Sequence, residues 1–104
     1  MKHDISMVRG DTLAFGMEFT GLGQDLDSAF FTVRKTYTGS VLFQKSIGSG
    51  ISKVEENQYR VRVAPEDTEG LNPGIYKYDL EVSVNGDVFT ILIGDLNLKN
   101  DVTR

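Results

Sequence analysis

Hydrophobic and polar residues alternate along most of this chain, which is typical of β-strands that bury one face. In the clearest run, 76–84, the even-numbered positions are aromatic or aliphatic and the odd-numbered positions are polar. The runs 12–20 and 58–63 alternate in the same way, with apolar residues at their odd-numbered positions. The pattern therefore predicts half-buried strands.

Turn signals divide the chain into seven to nine short strands. Asn85-Gly86 is the strongest hairpin signal, because both residues of the favoured turn need positive φ. Two glycines fall inside predicted strands: Gly16 suits a bend, a bulge or the close approach of another backbone, and Gly94 suggests a bulge. The predicted strands cover residues 5–8, 12–20, 28–36, 41–46, 51–54, 58–63, 76–84 and 88–98.

One short segment between two strands has a different character. Polar residues at 65–70 suit a single helical turn, and Asn-Pro-Gly at 72–74 suits a tight turn. In many β-sandwiches such a segment crosses between the sheets, and a tyrosine of the next strand bonds back to it. We therefore expect Tyr76 or Tyr78 to be buried with its hydroxyl bonded near the 65–71 corner. The strand pattern predicts an all-β, antiparallel Greek-key β-sandwich with one short helical turn.

The length and composition are those of a single folded domain. The chain has 104 residues and 39% hydrophobic content, so we expect one domain over residues 1–104. Residues 1–4 and 100–104 are expected to be frayed. There are no cysteines, which excludes disulfides, thiolate zinc sites and thiol nucleophiles and fits a reducing cytoplasm or a particle assembled there.

The formal net charge of −4 disfavours nucleic-acid binding, which needs a basic surface. We interpret the basic residues of the middle third as solvated strand positions rather than as a binding stripe. No apolar run reaches membrane-spanning length, and the N-terminal residues lack the apolar core of a signal peptide, so no membrane partner is expected. The basic residues in question are Lys35, Lys45, Lys53, Arg60 and Arg62.

Candidate catalytic groups are few. His3 is the only histidine, and it lies in the terminal segment that is expected to fray. Without a second histidine or a cysteine, the common catalytic triads and zinc sites cannot be built. We therefore expect no enzymatic activity, no catalytic residues and no cofactor.

Two acidic clusters are candidates for calcium binding: the loop that holds Asp25 and Asp27, and the corner at 66–69. Neither has the spacing of a dedicated calcium loop. Asp27 suits a turn, and the corner acids suit the first turn of a helix, where negative charge meets the helix dipole. We predict no functional metal site.

Exposed aromatic residues are better candidates for function. The tripeptide Arg-Gly-Asp at 9–11 spells an integrin-binding sequence, but Gly-Asp between two strands is more simply a turn. Most aromatic residues fall on predicted inner faces, whereas Phe30, Tyr37 and Phe89 do not. Such residues can stack on a sugar or anchor a partner subunit. Together with Leu92 they form the candidate interaction surface.

Several motifs carry a resemblance to a known family. They are Arg-Gly-Asp-Thr at 9–12, Phe-Thr-Val-Arg-Lys at 31–35, Leu-Phe-Gln-Lys at 42–45, Pro-Glu-Asp-Thr at 65–68 and Pro-Gly-Ile-Tyr-Lys-Tyr-Asp at 73–79. With them the chain resembles small phage and prophage structural proteins. From about Ile5 to Leu98 it is similar to the immunoglobulin-like N-terminal domain of phage baseplate upper proteins.

The resemblance implies an immunoglobulin-like sandwich in a non-enzymatic particle component. Such a protein would pack against other virion subunits, or against copies of itself, in a tail, baseplate or head–tail junction. It would be found in the virion, or in the bacterial cytoplasm before assembly. Baseplate upper proteins run on into further domains, whereas this sequence ends at Arg104, and that leaves the place in the particle open.

Two other functions compete with this one. A carbohydrate-binding or adhesin-like sandwich would present coplanar exposed aromatic residues, and an enzyme that relies on carboxylates would present a cleft with paired acids. For the leading hypothesis we expect self-association or docking through segments 1–8 and 88–98. The apolar run at 88–93 places large side chains on both faces of its strand, and one face then needs cover.

Overall fold

The computed structural model describes residues 3–20 and 23–100, which form eight β-strands and one short helix. The all-β prediction is confirmed, the strand count lies within the predicted range, and the predicted helical turn is present. In chain order the elements are β1 (Ile5–Val8), β2 (Leu13–Glu18), β3 (Ser28–Arg34), β4 (Val41–Ile47), β5 (Gly50–Glu55), β6 (Gln58–Val63), α1 (Pro65–Thr68), β7 (Gly74–Val84) and β8 (Asp87–Lys99).

The strands form one mixed sheet in the order β1-β8-β7-β3-β4-β5-β6-β2. Most neighbours are antiparallel, but β1 runs parallel to β8 and β4 runs parallel to β5. The prediction of antiparallel strands throughout is therefore wrong at two pairings. The physical reason is that side-chain alternation specifies the two faces of a strand but carries no information on the direction of its neighbour.

The sheet is narrowest at the junction between β4 and β5, which share only the pairs Ser46–Gly50 and Ile47–Ile51. Gly48 and Gly50 have φ of 88° and 102°, which glycine adopts readily. In the strand order, β1, β8, β7, β3 and β4 lie on one side of this junction, and β5, β6 and β2 lie on the other.

Phe31 occupies the centre of the core and is fully buried. Its ring lies 5.6 Å from the ring of Phe15 on β2, 5.3 Å from that of Tyr78 on β7 and 6.4 Å from that of Phe43 on β4. One side chain of β3 thus packs against strands from both sides of the β4–β5 junction. The apolar positions of the alternating runs on β6 and β7 are buried at Tyr59, Val61, Val63, Tyr76, Tyr78, Leu80 and Val82, and β3 adds Phe31 and Val33.

The two strand glycines do not behave as predicted. The register between β7 and β8 shifts at Leu80, which leaves Ile91 as the extra residue, so the predicted bulge at Gly94 is wrong. Gly94 lies in a regular part of the ladder, where an added Cβ would overlap the His3 carbonyl oxygen. Gly16 lies in an unbroken register with room for a Cβ. The close backbone approach considered for Gly16 therefore occurs at Gly94.

Helix α1 anchors the turn that follows β1. The Asp67 carboxylate accepts a hydrogen bond from the Ala64 N–H at 2.7 Å and so caps the helix. The buried hydroxyl of Thr68 accepts a hydrogen bond from the Gly10 N–H at 2.8 Å. The Arg-Gly-Asp segment is a turn, as predicted, and it docks on the Pro-Glu-Asp-Thr segment.

The two tyrosines of β7 are both buried. The Tyr76 hydroxyl donates a hydrogen bond to the Asn72 carbonyl oxygen at 2.5 Å, directly after the corner, which confirms the prediction for this residue. The Tyr78 hydroxyl donates instead to the His3 carbonyl oxygen. Tyr76 therefore fixes the corner, and Tyr78 fixes the segment that leads into β1.

Candidate interaction surface

The four residues predicted as an interaction surface do not form one surface. Phe30 is half-buried on the outer face of β3. Tyr37 is exposed at the start of β7, where the Lys77 ammonium lies 5.6 Å from its ring centre. Phe89 and Leu92 lie near the other end of β7 and share one face of β8. The structure therefore brings together only Phe89 and Leu92.

A tight turn at Asn85 and Gly86 joins β7 to β8. These residues have φ of 53° and 82°, so the predicted hairpin is confirmed. The turn is flanked by the pair Val84–Asp87, and the flanking residues of such a turn bond to each other. Alternation then directs the N–H and C=O groups of Val88 and Thr90 away from β7, toward the edge of the sheet.

The exposure of Phe89 has a specific cause. Its cross-strand partner is Val82, which is buried on the inner face of β7. Phe89 therefore points to the core side, yet it is 50% exposed. On the side of β8 away from β7, the neighbouring strand among the described residues is β1. Strand β1 pairs only with positions 96–99 of β8. Phe89 is an inward-facing side chain on an uncovered stretch of edge.

This uncovered stretch, residues 87–92, is called the open edge of β8. Asp87 is the one charged residue of the open edge, and the open edge contains no proline. Native sheets usually protect such edges with lysine, proline or a covering segment. Val88 adds a further exposed apolar side chain that sequence reasoning did not single out. The open edge is therefore suited to pairing with another strand.

The segment at His3 and Asp4 determines where the cover of β8 begins. The His3 N–H donates to the Ile93 carbonyl oxygen at 2.8 Å, and the Asp95 N–H donates to the Asp4 carboxylate at 3.0 Å. With the bond from Tyr78, these contacts hold two residues that the sequence predicts to be frayed. Residues 1–2 and 101–104 lie outside the described residues.

A cleft of about 500 Å³ adjoins the open edge, between β1 and β2. These two strands end the sheet order and form no ladder with each other in the described part of the chain. Two partly buried apolar residues that pack against the core line this cleft, Leu92 on the β8 side and Phe15 on the β2 side. Its lining consists of His3, Asp4, Ile5, Ser6, Leu13, Phe15, Gly16 and Leu92.

The outer face of β7 and its neighbours is polar and internally paired. Lys77 bonds to Asp95 on β8 at 2.5 Å, and this hydrogen bond raises the pKa of Lys77. Arg34 on β3 lies 3.5 Å from the Asp79 carboxylate. Opposite charges on adjacent strands thus satisfy one another across this face.

Each of the two acidic clusters considered for calcium binding has one carboxylate paired with a lysine. Asp25 lies 2.6 Å from the Lys53 ammonium, and the hydrogen bond between them raises the pKa of Lys53. Asp67 lies 2.6 Å from the Lys45 ammonium. In residues 3–20 and 23–100, no three acidic or histidine side chains are grouped closely enough to hold a metal ion.

Lys45 is not the solvated strand residue that the sequence predicts. Its cross-strand partner is Phe31, so its side chain starts on the inner face and extends to α1. The Lys45 and Asp67 side chains are only 15% and 14% exposed. The reason for the wrong prediction is that a lysine on an inner face can bury its stem and pair its ammonium with a carboxylate that the fold brings close.

Tyr78 is the titratable group with the largest described pKa change. Burial raises the pKa of its hydroxyl to about 12, and the nearby Asp4 carboxylate and Tyr37 add to the effect. A neutral hydroxyl can donate to the His3 carbonyl oxygen, whereas a phenolate cannot. The contact that positions His3 therefore depends on the protonated form of Tyr78.

Comparisons with known proteins add no family assignment. No protein-family model matches the chain, and no curated protein matches it. The described residues contain no helix with the length and apolar character needed to span a membrane.

Proposed function

We propose that this chain is a non-enzymatic structural or assembly component of a tailed phage or prophage particle, acting through protein–protein contacts. The observation that carries the proposal is the open edge of β8, with Phe89 facing inward but uncovered. Strand addition at such an edge gains affinity from main-chain hydrogen bonds and specificity from adjoining side-chain pockets. The cleft beside Leu92 supplies an adjoining pocket.

The proposal includes an immunoglobulin-like sandwich as the architecture. The β4–β5 junction supports it, since only two residue pairs of the ladder join β1, β8, β7, β3 and β4 to β5, β6 and β2. The corner supports it too, because Tyr76 follows α1 and its hydroxyl bonds back to Asn72. A tyrosine at this point of the chain is a recurrent feature of immunoglobulin-like domains.

The proposed partners are other virion subunits, and the proposed location is the virion, or the bacterial cytoplasm before assembly. The support for this location is the resemblance of the sequence motifs to those of phage structural proteins. The carbohydrate-binding alternative gains no support from the exposed aromatics, because Tyr37 and Phe89 lie at opposite ends of β7. A flat sugar platform needs such rings side by side.

Purification of particles from the producing bacterium tests the location. We expect quantitative mass spectrometry to find the chain in density-purified particles, or in an assembly intermediate, at a constant ratio to another structural protein. A chain that is absent from both the particles and the intermediates contradicts the proposal.

A capture experiment tests the role of the open edge. The tagged chain is mixed with the products of neighbouring genes, as wild type, as Val88→Lys and as Val54→Lys. The control residue is Val54 on β5, a valine that is also exposed, at 49% against 61% for Val88. We expect wild type and Val54→Lys to capture a particle subunit and Val88→Lys to lose most of it. Capture of the same subunit by all three proteins would assign the contact to another surface.

A further inference from the structure

We infer that the open edge of β8 pairs with the same edge of a second copy of this chain, antiparallel, across a two-fold axis at Phe89. The inference deepens the proposed function and rests on it for its biological meaning. It names one occupant for the edge and one register. A particle subunit whose capture is lost with Val88→Lys would then bind the dimer rather than the edge of one copy. In that register Phe89 faces Phe89 of the second copy, and Val88 pairs with Thr90 of the second copy.

The backbone groups at the edge select this register. The backbone N–H and C=O groups of Val88 and Thr90 point away from β7, while those of Phe89 point toward β7. In an antiparallel ladder, two residues that both point toward the partner exchange two hydrogen bonds. Centring the axis on Phe89 sets Val88 opposite Thr90 of the second copy on both sides of the axis, so every outward group from 88 to 90 is bonded.

The same register covers the side chain that is left exposed in one copy. Phe89 becomes a non-hydrogen-bonded pair across the axis, the type in which the Cα atoms approach to about 4.5 Å. Both rings point to the core side, because Val82 opposite each of them is buried. Each ring therefore covers the other at the point where the strand neighbour is missing.

The charges favour an antiparallel arrangement over a parallel one. The antiparallel register places Asp87 opposite Ile91 of the second copy. An in-register parallel pairing would instead place Asp87 beside Asp87 of the second copy. Residues 88–94 are uncharged, so no like charges meet within the ladder. Each chain carries a formal net charge of −4, and screening this repulsion with salt should strengthen the pairing.

The N-terminal segment prevents the register from sliding. The His3 N–H donates a hydrogen bond to the Ile93 carbonyl oxygen, so the edge of β8 is not free to pair with another strand from Ile93 onward. The register centred on Phe89 places Gly86 of the second copy opposite Leu92, directly before this block. Moving the axis to Thr90 would drive the turn of the second copy into His3, and moving it to Val88 would leave fewer paired groups.

Cysteine cross-linking tests the register directly, since the chain contains no cysteine of its own. The variants are Phe89→Cys and Val54→Cys, at positions that are 50% and 49% exposed. Cα atoms about 4.5 Å apart are within disulfide range. Under mild oxidation we expect Phe89→Cys to form a covalent dimer at least ten times faster than Val54→Cys. Equal rates would overturn the inference.

A second measurement avoids replacing the phenylalanine. Thr90→Pro removes an N–H that faces the open edge and leaves the β7–β8 ladder intact, while Thr90→Ala keeps the N–H. Sedimentation velocity should show concentration-dependent dimers for wild type and Thr90→Ala, and monomers for Thr90→Pro. The circular dichroism spectrum of Thr90→Pro should match that of wild type, which shows that the variant is folded. Wild type that sediments as a monomer throughout would overturn the inference.

The outcomes separate the inference from the proposed function. If the chain dimerises in this register but is absent from particles and binds no particle subunit, the inference stands and the proposed function fails. If Phe89→Cys does not cross-link but Val88→Lys still abolishes capture of a particle subunit, the edge belongs to that subunit. In that case the inference fails and the proposed function stands.

Discussion

Tyr78 and Gly94 face each other directly across the β7–β8 ladder, and the absence of a side chain at Gly94 lets the His3 backbone pass over this position. The Tyr78 hydroxyl bonds to the His3 carbonyl oxygen from the facing strand. The pair thereby positions the segment that closes the edge of β8 at Ile93. It also determines which part of that edge stays open.

Replacing Gly94 with alanine should destabilise the protein, because its Cβ would overlap the His3 carbonyl oxygen. We expect the free energy of unfolding to fall by about 1–3 kcal/mol, as for other overpacked positions. The control is Gly16→Ala, a strand glycine with room for a Cβ. Urea denaturation measures both; equal midpoints for the two variants would show that His3 moves aside without cost.

Stability should fall at alkaline pH as Tyr78 ionises. Its folded-state pKa of about 12 lies above the unfolded value of about 10. A group whose pKa is raised by folding contributes stability that is complete below the unfolded pKa and is lost as pH rises toward the folded pKa. Urea denaturation from pH 9 to pH 11.5 should show a steeper loss for wild type than for Tyr78→Phe. Parallel pH profiles would contradict the assignment of the change to Tyr78.

The hydroxyl of Thr68 should matter more than its methyl group. Thr68→Val leaves the Gly10 N–H without its acceptor in a buried site, which should cost about 1–3 kcal/mol. Thr68→Ser keeps the acceptor and should lose less. Thermal unfolding of the two variants measures the difference. A serine variant that is no more stable than the valine variant would show that packing, rather than the hydrogen bond, holds the Arg-Gly-Asp turn.

The Lys45–Asp67 pair should contribute more than the exposed Lys53–Asp25 pair. Lys45→Met leaves a largely buried carboxylate without its partner, and we expect a loss of about 1–3 kcal/mol, between the values for exposed and buried pairs. Adding Asp67→Asn should recover part of this loss. Lys53→Met, at a more exposed pair, should leave the unfolding midpoint nearly unchanged. Equal effects of the two methionine variants would rule out a structural role for the Lys45 pair.

The strands and turns were largely predictable because they depend on local patterns. Alternation located β1 and β6 at their observed bounds, and Asn85-Gly86 identified the hairpin from its φ requirement. The role of Gly94 was not predictable, since it depends on where the distant His3 backbone passes. Lys45 was misassigned for the same reason, because its partner Asp67 is brought close only by the fold.

The candidate surface was predictable in part. The apolar run at 88–93 indicated that one face of its strand needs cover, and Phe89 and Leu92 do lie together beside the open edge. Phe30 and Tyr37 lie elsewhere. Alternation indicates which side chains are exposed, but it does not indicate where each strand stands in the sheet. The extent of the open edge follows from the β1 register, which starts only at the Ile5–Leu96 pair.

Amide hydrogen exchange at Val88 and Thr90, followed by NMR over a range of protein concentrations, tests the central claim most directly. In dilute solution these two amides should exchange rapidly, because they face an open edge, while the Phe89 amide, which faces β7, should be protected. At high concentration Val88 and Thr90 should gain protection in proportion to the dimer fraction, while the Phe89 amide stays protected. Rapid exchange at Val88 and Thr90 at every concentration, or protection of both in the dilute monomer, would contradict the account.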